Sequence, residues 1–181
     1  YRTDVIAALK ELKLSIVRWP GGCFASGYHW KAGVGAERKP VFDMAWGVEE
    51  PNTFGTDEFV AWSRLVGCEP YICANAGNGT PEEMRDWVVY CDKTNDFQVK
   101  YWSIGNENWG GHEIGAKSPR EWAPWAREWA RMSLDAVPGI HLVAAATPEK
   151  AWTLPLLKAA GDSLDFVAIH EYWLPCWQDN L

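Results

Sequence analysis

The chain has 181 residues, 48% of them hydrophobic, which suffices for one globular core and falls short of two comfortable domains. Its net charge of −7 and pI near 5.1 come from acids dispersed along the chain, so phosphates would be repelled and nucleic acid is set aside as a partner. No apolar run reaches membrane-spanning length, and no signal peptide, repeat or low-complexity segment is found; a soluble protein without a membrane partner is expected, cytoplasmic, with secretion as the alternative.

Thr3 to Lys13 reads as a helix packed on one side, with Val5, Leu9 and Leu12 on its apolar face. Leu14 to Trp19 follows as a short buried strand, ended by Pro20 and the paired glycines Gly21 and Gly22. Arg18 at the end of that strand is costly unless a carboxylate or a substrate oxygen meets it. From Cys23 to Gly55 periodicity is lost and glycine, aromatic and turn residues collect, so a long loop with a binding task is expected.

A helix over Thr56 to Val66 and a strand over Glu69 to Ala76 come next, the strand running out into Asn75-Ala76-Gly77-Asn78-Gly79. Thr80-Pro81-Glu82-Glu83 has the grammar of a helix start, with a cap and proline at the first helical position, so Thr80 to Asp92 is read as helix. Val99 to Ile104 is a buried strand. Ser118-Pro119-Arg120-Glu121 repeats the capping grammar, and Trp122, Trp125, Ala126, Trp129 and Ser133 then trace the core-facing side of a long helix. Ile140 to Ala146 is a strand, Ala151 to Ala160 a helix containing Pro155, and Asp165 to Ile169 a last strand ending in His170-Glu171-Tyr172-Trp173.

Five strands alternating with helices are the grammar of a parallel α/β sheet. The chain opens on a helix and stops after a strand. In an eightfold barrel of about 250 residues, it would be an interior segment running from the first helix through the sixth strand, lacking one strand before it and two after. An open doubly wound sheet is the other arrangement, but neither a dinucleotide glycine fingerprint nor a P-loop is present.

In either sheet ligands gather at the C-terminal ends of the strands. Arg18, Asn75, Glu107 and His170 all follow a strand and so fall on one rim. Glu107, in VKYWSIGNENWGG, suits a general acid, and Asn106 before it suits a substrate hydroxyl; acceptance of turn amides by Glu107 is the plainer alternative. The thirteen tryptophans divide between core bulk on helical faces and sugar platforms beyond strand ends. The five cysteines, odd in number and without CxxC spacing, argue against a disulfide framework or a thiolate zinc site and fit reduced thiols.

RWPGGCFASGYHW, WGVEEPNTFGTDEF, WSIGNENWGG and FVAIHEYW, in this order and spacing, resemble glycoside hydrolase family 51, the α-L-arabinofuranosidases. The likeness covers essentially the whole chain. It implies a partial (β/α)8 TIM barrel, without the family's appended β-sandwich, and a retaining double displacement in which Glu107 is the acid/base. It further implies that Arg18, Cys23, Trp46, Asn52, Asn75, Asn106, His170 and Tyr172 contact an arabinose-containing glycan. No metal or organic cofactor is called for, and a homo-oligomer is expected for the longer enzyme. The family's nucleophile, a glutamate at the end of the seventh strand, has no counterpart here, and Glu171 does not match it, so the chain by itself is expected to hydrolyse little. The competing readings are a related barrel glycosidase such as a β-xylosidase or endoglucanase, a non-catalytic carbohydrate-binding protein, and a Cys/His metal protein, the last disfavoured by the scatter of the cysteines.

Overall fold

The computed structural model describes residues 1–171. Helix α1 (Thr3–Leu12) leads into strand β1 (Ile16–Trp19) and the one-turn helix α2 (Gly22–Ala25). A hairpin of β2 (Val41–Asp43) and β3 (Val48–Glu50) follows. The chain then alternates through α3 (Thr56–Val66), β4 (Glu69–Ala74), α4 (Pro81–Val89), β5 (Tyr101–Ile104), α5 (Pro119–Ala136), β6 (His141–Ala146), α6 (Lys150–Ala160) and β7 (Phe166–Ile169). The sheet order is β1-β4-β5-β6-β7, every neighbouring pair parallel.

Register decides which side chains share a face. Ile72, Trp102 and Leu142 stand side by side across β4, β5 and β6 and are fully buried, packed with Met84, Trp87, Trp122 and Trp129 from the helices. The adjacent rows point the other way: Tyr71, Tyr101, Val143 and Phe166 line an apolar concavity. Helices thus cover one face and leave the other for a curled interior, which is the layering of a partial (β/α)8 barrel and not that of a doubly wound sheet.

Tryptophan supplies much of the core. Trp30 stacks on Trp87 at 5.7 Å between ring centroids, and Trp87 meets Trp102 edge-on at 5.8 Å. Trp87 also donates its Nε1–H to Thr56 Oγ1 at 2.9 Å, so the buried ring leaves no polar atom unpaired. Trp122 and Trp129 lie fully buried on α5, on the face their spacing indicates.

Capping sets the helix starts. Thr80 Oγ1 accepts from the backbone N–H of Glu83 at 3.2 Å, with Pro81 beginning the helix. The Glu83 side chain leaves the capping role and pairs with His29 Nδ1 at 2.9 Å. At α5 the glutamate half of the box is made: Glu121 Oε2 accepts from the backbone N–H of Ser118 at 2.8 Å and also from its hydroxyl at 2.6 Å.

Several expectations need correction. The 23–55 stretch is not one loop. It holds α2, a 3-10 turn at Trp30–Gly33 and the β2–β3 hairpin, whose Val41, Phe42 and Val48 are exposed and so leave no alternating pattern to read. On α1 the buried residue is Ile6, which joins Val66 and Cys68, while Val5 and Leu12 face outward. The helix read over Thr80 to Asp92 ends as α-helix at Val89 and continues as a π turn, Tyr90–Thr94.

Candidate active site

The end of β5 is shaped for a tight exit. Gly105 takes φ +72°, and a Cβ there would collide with Asn108 Oδ1. Its carbonyl accepts from Ser103 Oγ at 3.0 Å and from Cys73 Sγ at 3.2 Å. Two residues later Glu107 has φ +44°, the left-handed region, held by the Gly110 N–H donating to the Glu107 carbonyl at 2.7 Å. This turn swings the Glu107 side chain onto the rim, where 13% of its surface remains exposed.

Two histidines bracket the carboxyl. His170 Nδ1, just past β7, lies 2.7 Å from Glu107 Oε1, and His112 Nε2 lies 3.3 Å from Oε2. An ionised Glu107 accepts from a ring N–H, and a protonated one donates to a ring nitrogen, so both states can be hydrogen-bonded. The Trp109 ring lies edge-on to His170 at 6.0 Å and is backed by Trp152, which stacks on Trp122. A line of aromatics therefore joins the rim to the core.

Beside Glu107 runs a polar relay. Arg18 Nη1 donates to Asn106 Oδ1 at 3.0 Å, and Asn106 Nδ2 donates to Glu113 Oε1 at 2.9 Å. Glu113 Oε2 accepts from Ser26 Oγ at 2.5 Å. The relay fixes the Asn106 amide, its oxygen toward Arg18 and one N–H toward Glu113, leaving the second N–H available. Cys73 and Cys23 lie along the same relay. Burial pushes the Cys73 thiol up, and burial together with hydrogen bonding to Glu113 pushes up Cys23, so both are thiols at neutral pH.

The rim loops are joined backbone to backbone. The Asn78 N–H donates to the Ser26 carbonyl at 3.2 Å, and a Cβ at Gly77 would strike the carbonyls of both Ser26 and Ile114. The loops after β1, β4 and β5 meet there.

Of the residues singled out in the sequence, Glu107, Asn106, Arg18, Cys23 and His170 are brought together. Asn75 is near the rim but spends its amide locally, Oδ1 accepting from the N–H groups of Gly77 and Asn78 and Nδ2 donating to Asn78 Oδ1 at 2.7 Å. Asn52 is buried behind the hairpin, donating Nδ2 to the Lys39 carbonyl at 2.8 Å. Trp46, in the hairpin turn, is 64% exposed and shares no hydrogen bond with the cluster. Tyr172 lies outside the described residues. Sequence reasoning passed over Ser26, His112 and Glu113. A His-Glu pair set among glycines five and six residues after a candidate acid was the available signal, but nothing local shows that Glu113 is buried.

A parallel barrel sheet here gathers a carboxyl, two imidazoles and an Arg–Asn pair at its C-terminal rim, the edge where proteins of the (β/α)8 barrel class carry their sites. The family model described as "Alpha-L-arabinofuranosidase 1 domain" matches residues 8–179, and the chain belongs to that family. Among curated relatives, alpha-L-arabinofuranosidase C of Emericella nidulans is 41% identical, the match covering 79% of this chain and 32% of that protein. The intracellular exo-alpha-L-arabinofuranosidase of Bacteroides ovatus is 34% identical over 99% of this chain and 39% of its own length. Among solved structures, the arabinose complex of the Thermotoga maritima alpha-L-arabinofuranosidase superposes with a TM-score of 0.91 at 38% identity, covering 94% of this chain and 39% of that one. A family 51 enzyme of Bifidobacterium longum gives 0.93 at 30% identity, covering 99% and 40%. The chain spans about a third to two-fifths of the length of these curated relatives.

Proposed function

We propose that this chain is the acid/base-bearing part of a retaining α-L-arabinofuranosidase that releases terminal arabinofuranosyl residues from arabinose-containing glycans. The observation that carries the reading is the Glu107 carboxyl, turned onto the strand-end rim and hydrogen-bonded there next to the Arg18–Asn106 pair. The names of the relatives at 34–41% identity favour arabinofuranosides over the substrates of a xylosidase or endoglucanase.

In the proposed cycle Glu107 begins protonated. It gives its proton to the departing glycosidic oxygen while a second carboxylate attacks the anomeric carbon, and the glycosidic C–O bond breaks as the glycosyl-enzyme ester forms. Ionised Glu107 then takes a proton from water, whose oxygen attacks the same carbon; arabinose leaves and the carboxylate is regenerated. Asn106 and Arg18 hold sugar hydroxyls, with Cys23, His170, Asn75, Trp46, Asn52 and Tyr172 as the proposed outer members of the pocket. Retention places the two carboxyl groups about 5 Å apart. Glu113 is unsuited to attack, because its side chain is 0% exposed and both oxygens are occupied. The nucleophile is proposed to be a second glutamate outside the described residues, and residues 1–181 are proposed to form a single partial (β/α)8 barrel domain. A homo-oligomer and a cytoplasmic setting are accompanying proposals, the setting alone supported by the free thiols among the described residues and by the word intracellular in the Bacteroides ovatus relative's name.

The test is Glu107→Ala and Glu107→Gln in the enzyme that contains this chain. Turnover of natural arabinosides should fall by about 10²–10⁴-fold, activated aryl arabinosides should suffer less, and azide should restore activity to the alanine variant. Unchanged hydrolysis of a natural arabinoside would refute the assignment.

A further inference from the structure

We propose that Cys23, His112 and Glu113 form a binding site for a soft divalent cation, zinc in the first instance. One ligand atom of each lies within 4.8 Å of the others, and none of the steps proposed above uses the three together. Chain spacing hides the trio: Cys23 follows β1, whereas His112 and Glu113 follow β5.

Two independent observations carry this. The first is geometric. Zinc takes nitrogen and oxygen at about 2.0–2.1 Å and thiolate sulfur at about 2.3 Å in a tetrahedron, so paired N and O ligands stand about 3.3 Å apart. His112 Nε2 and Glu113 Oε1 are 3.6 Å apart. Rotation of the exposed imidazole and of the half-buried Cys23 side chain would bring both onto a shared ion and leave the fourth corner for water.

The second is electrostatic. The Glu113 side chain is completely buried, and among the described residues no lysine or arginine pairs with it; apart from the neutral donors Ser26 and Asn106, its neighbours are the other two members of the trio, His112 at 3.6 Å and Cys23. A cation at Oε1 would give this buried carboxylate a permanent counter-charge, which the exposed imidazole supplies only when protonated. Ser26 and Asn106 already orient the carboxylate in the way that outer hydrogen bonds orient a metal ligand. Binding forms S–Zn, N–Zn and O–Zn bonds, and the proton lost from the Cys23 thiol passes to solvent. Ligation through His112 Nε2 also replaces its contact with Glu107 Oε2.

The experiment is a titration of the chelator-stripped chain with zinc and, separately, with cobalt(II), read by bound-metal analysis and by absorption. One equivalent should bind, magnesium should not compete, and cobalt should give a sulfur-to-cobalt charge-transfer band. Cys23→Ser should abolish the band, and both Cys23→Ser and His112→Ala should weaken binding by at least about tenfold. With His112 58% exposed, His112→Ala retains the fold even where a Cys23 change disturbs it. Absence of the sulfur band, or an unchanged affinity in His112→Ala, overturns the proposal. Neither outcome bears on the glycosidase reading, which is tested through Glu107 kinetics alone.

Discussion

At the scale of single residues, Glu107 combines its proposed chemistry with an unfavourable backbone. A non-glycine residue in the left-handed region costs on the order of 1–3 kcal/mol and persists where its surroundings over-determine it. Here the Gly110–Glu107 hydrogen bond and the β5 exit do so. Asparagine tolerates this region better than glutamine. Glu107→Asn should therefore unfold at a higher urea concentration than Glu107→Gln, by up to about 1 kcal/mol, although both lack the carboxyl; equal midpoints would mean that the turn carries no strain. The rim position of Glu107 was legible because its strand is short, apolar and ended by glycine. The role of Glu113 was not, because its burial is decided by Ser26, far away in sequence, and by the converging loops.

At the scale of elements, α4 shows how a local rule and a tertiary contact share one residue. Thr80-Pro81 places the helix start from sequence, whereas Glu83 abandons the box for His29. The hydrogen bond to Glu83 raises the His29 pKa above its ordinary value, partly opposed by burial. A raised folded-state pKa means that this contribution is fully present below about pH 6.5, the unfolded histidine value, and is lost as pH rises through the folded one. Thermal melts of the wild type and His29→Ala should differ most below that pH and converge above it. The gap should be small because the imidazole is half exposed. Elements with a buried face were readable from spacing, as α5 and β5 show. The β2–β3 hairpin was not: its strands are three residues long and their apolar residues Val41, Phe42 and Val48 are exposed, so no hydrophobic periodicity exists to detect.

At the scale of the whole molecule, the sheet has a covered face and an open one. Among the described residues nothing pairs the outer edges of β1 and β7, and Tyr71, Tyr101, Val143 and Phe166 present an apolar hollow. Unpaired edges beside apolar surface favour self-association. The isolated chain should elute in size exclusion with light scattering above its 20.4 kDa monomer mass, and a monodisperse monomer at high concentration would contradict this. Barrel grammar was legible in the regular strand–helix alternation; which face the helices cover emerged only from the shared register of Ile72, Trp102 and Leu142. The seam at Gly77, where three connecting segments touch through main-chain atoms, has a practical corollary. Transplanting one of these segments from a relative would break the fit of the other two, so the three have to be exchanged as a single cassette.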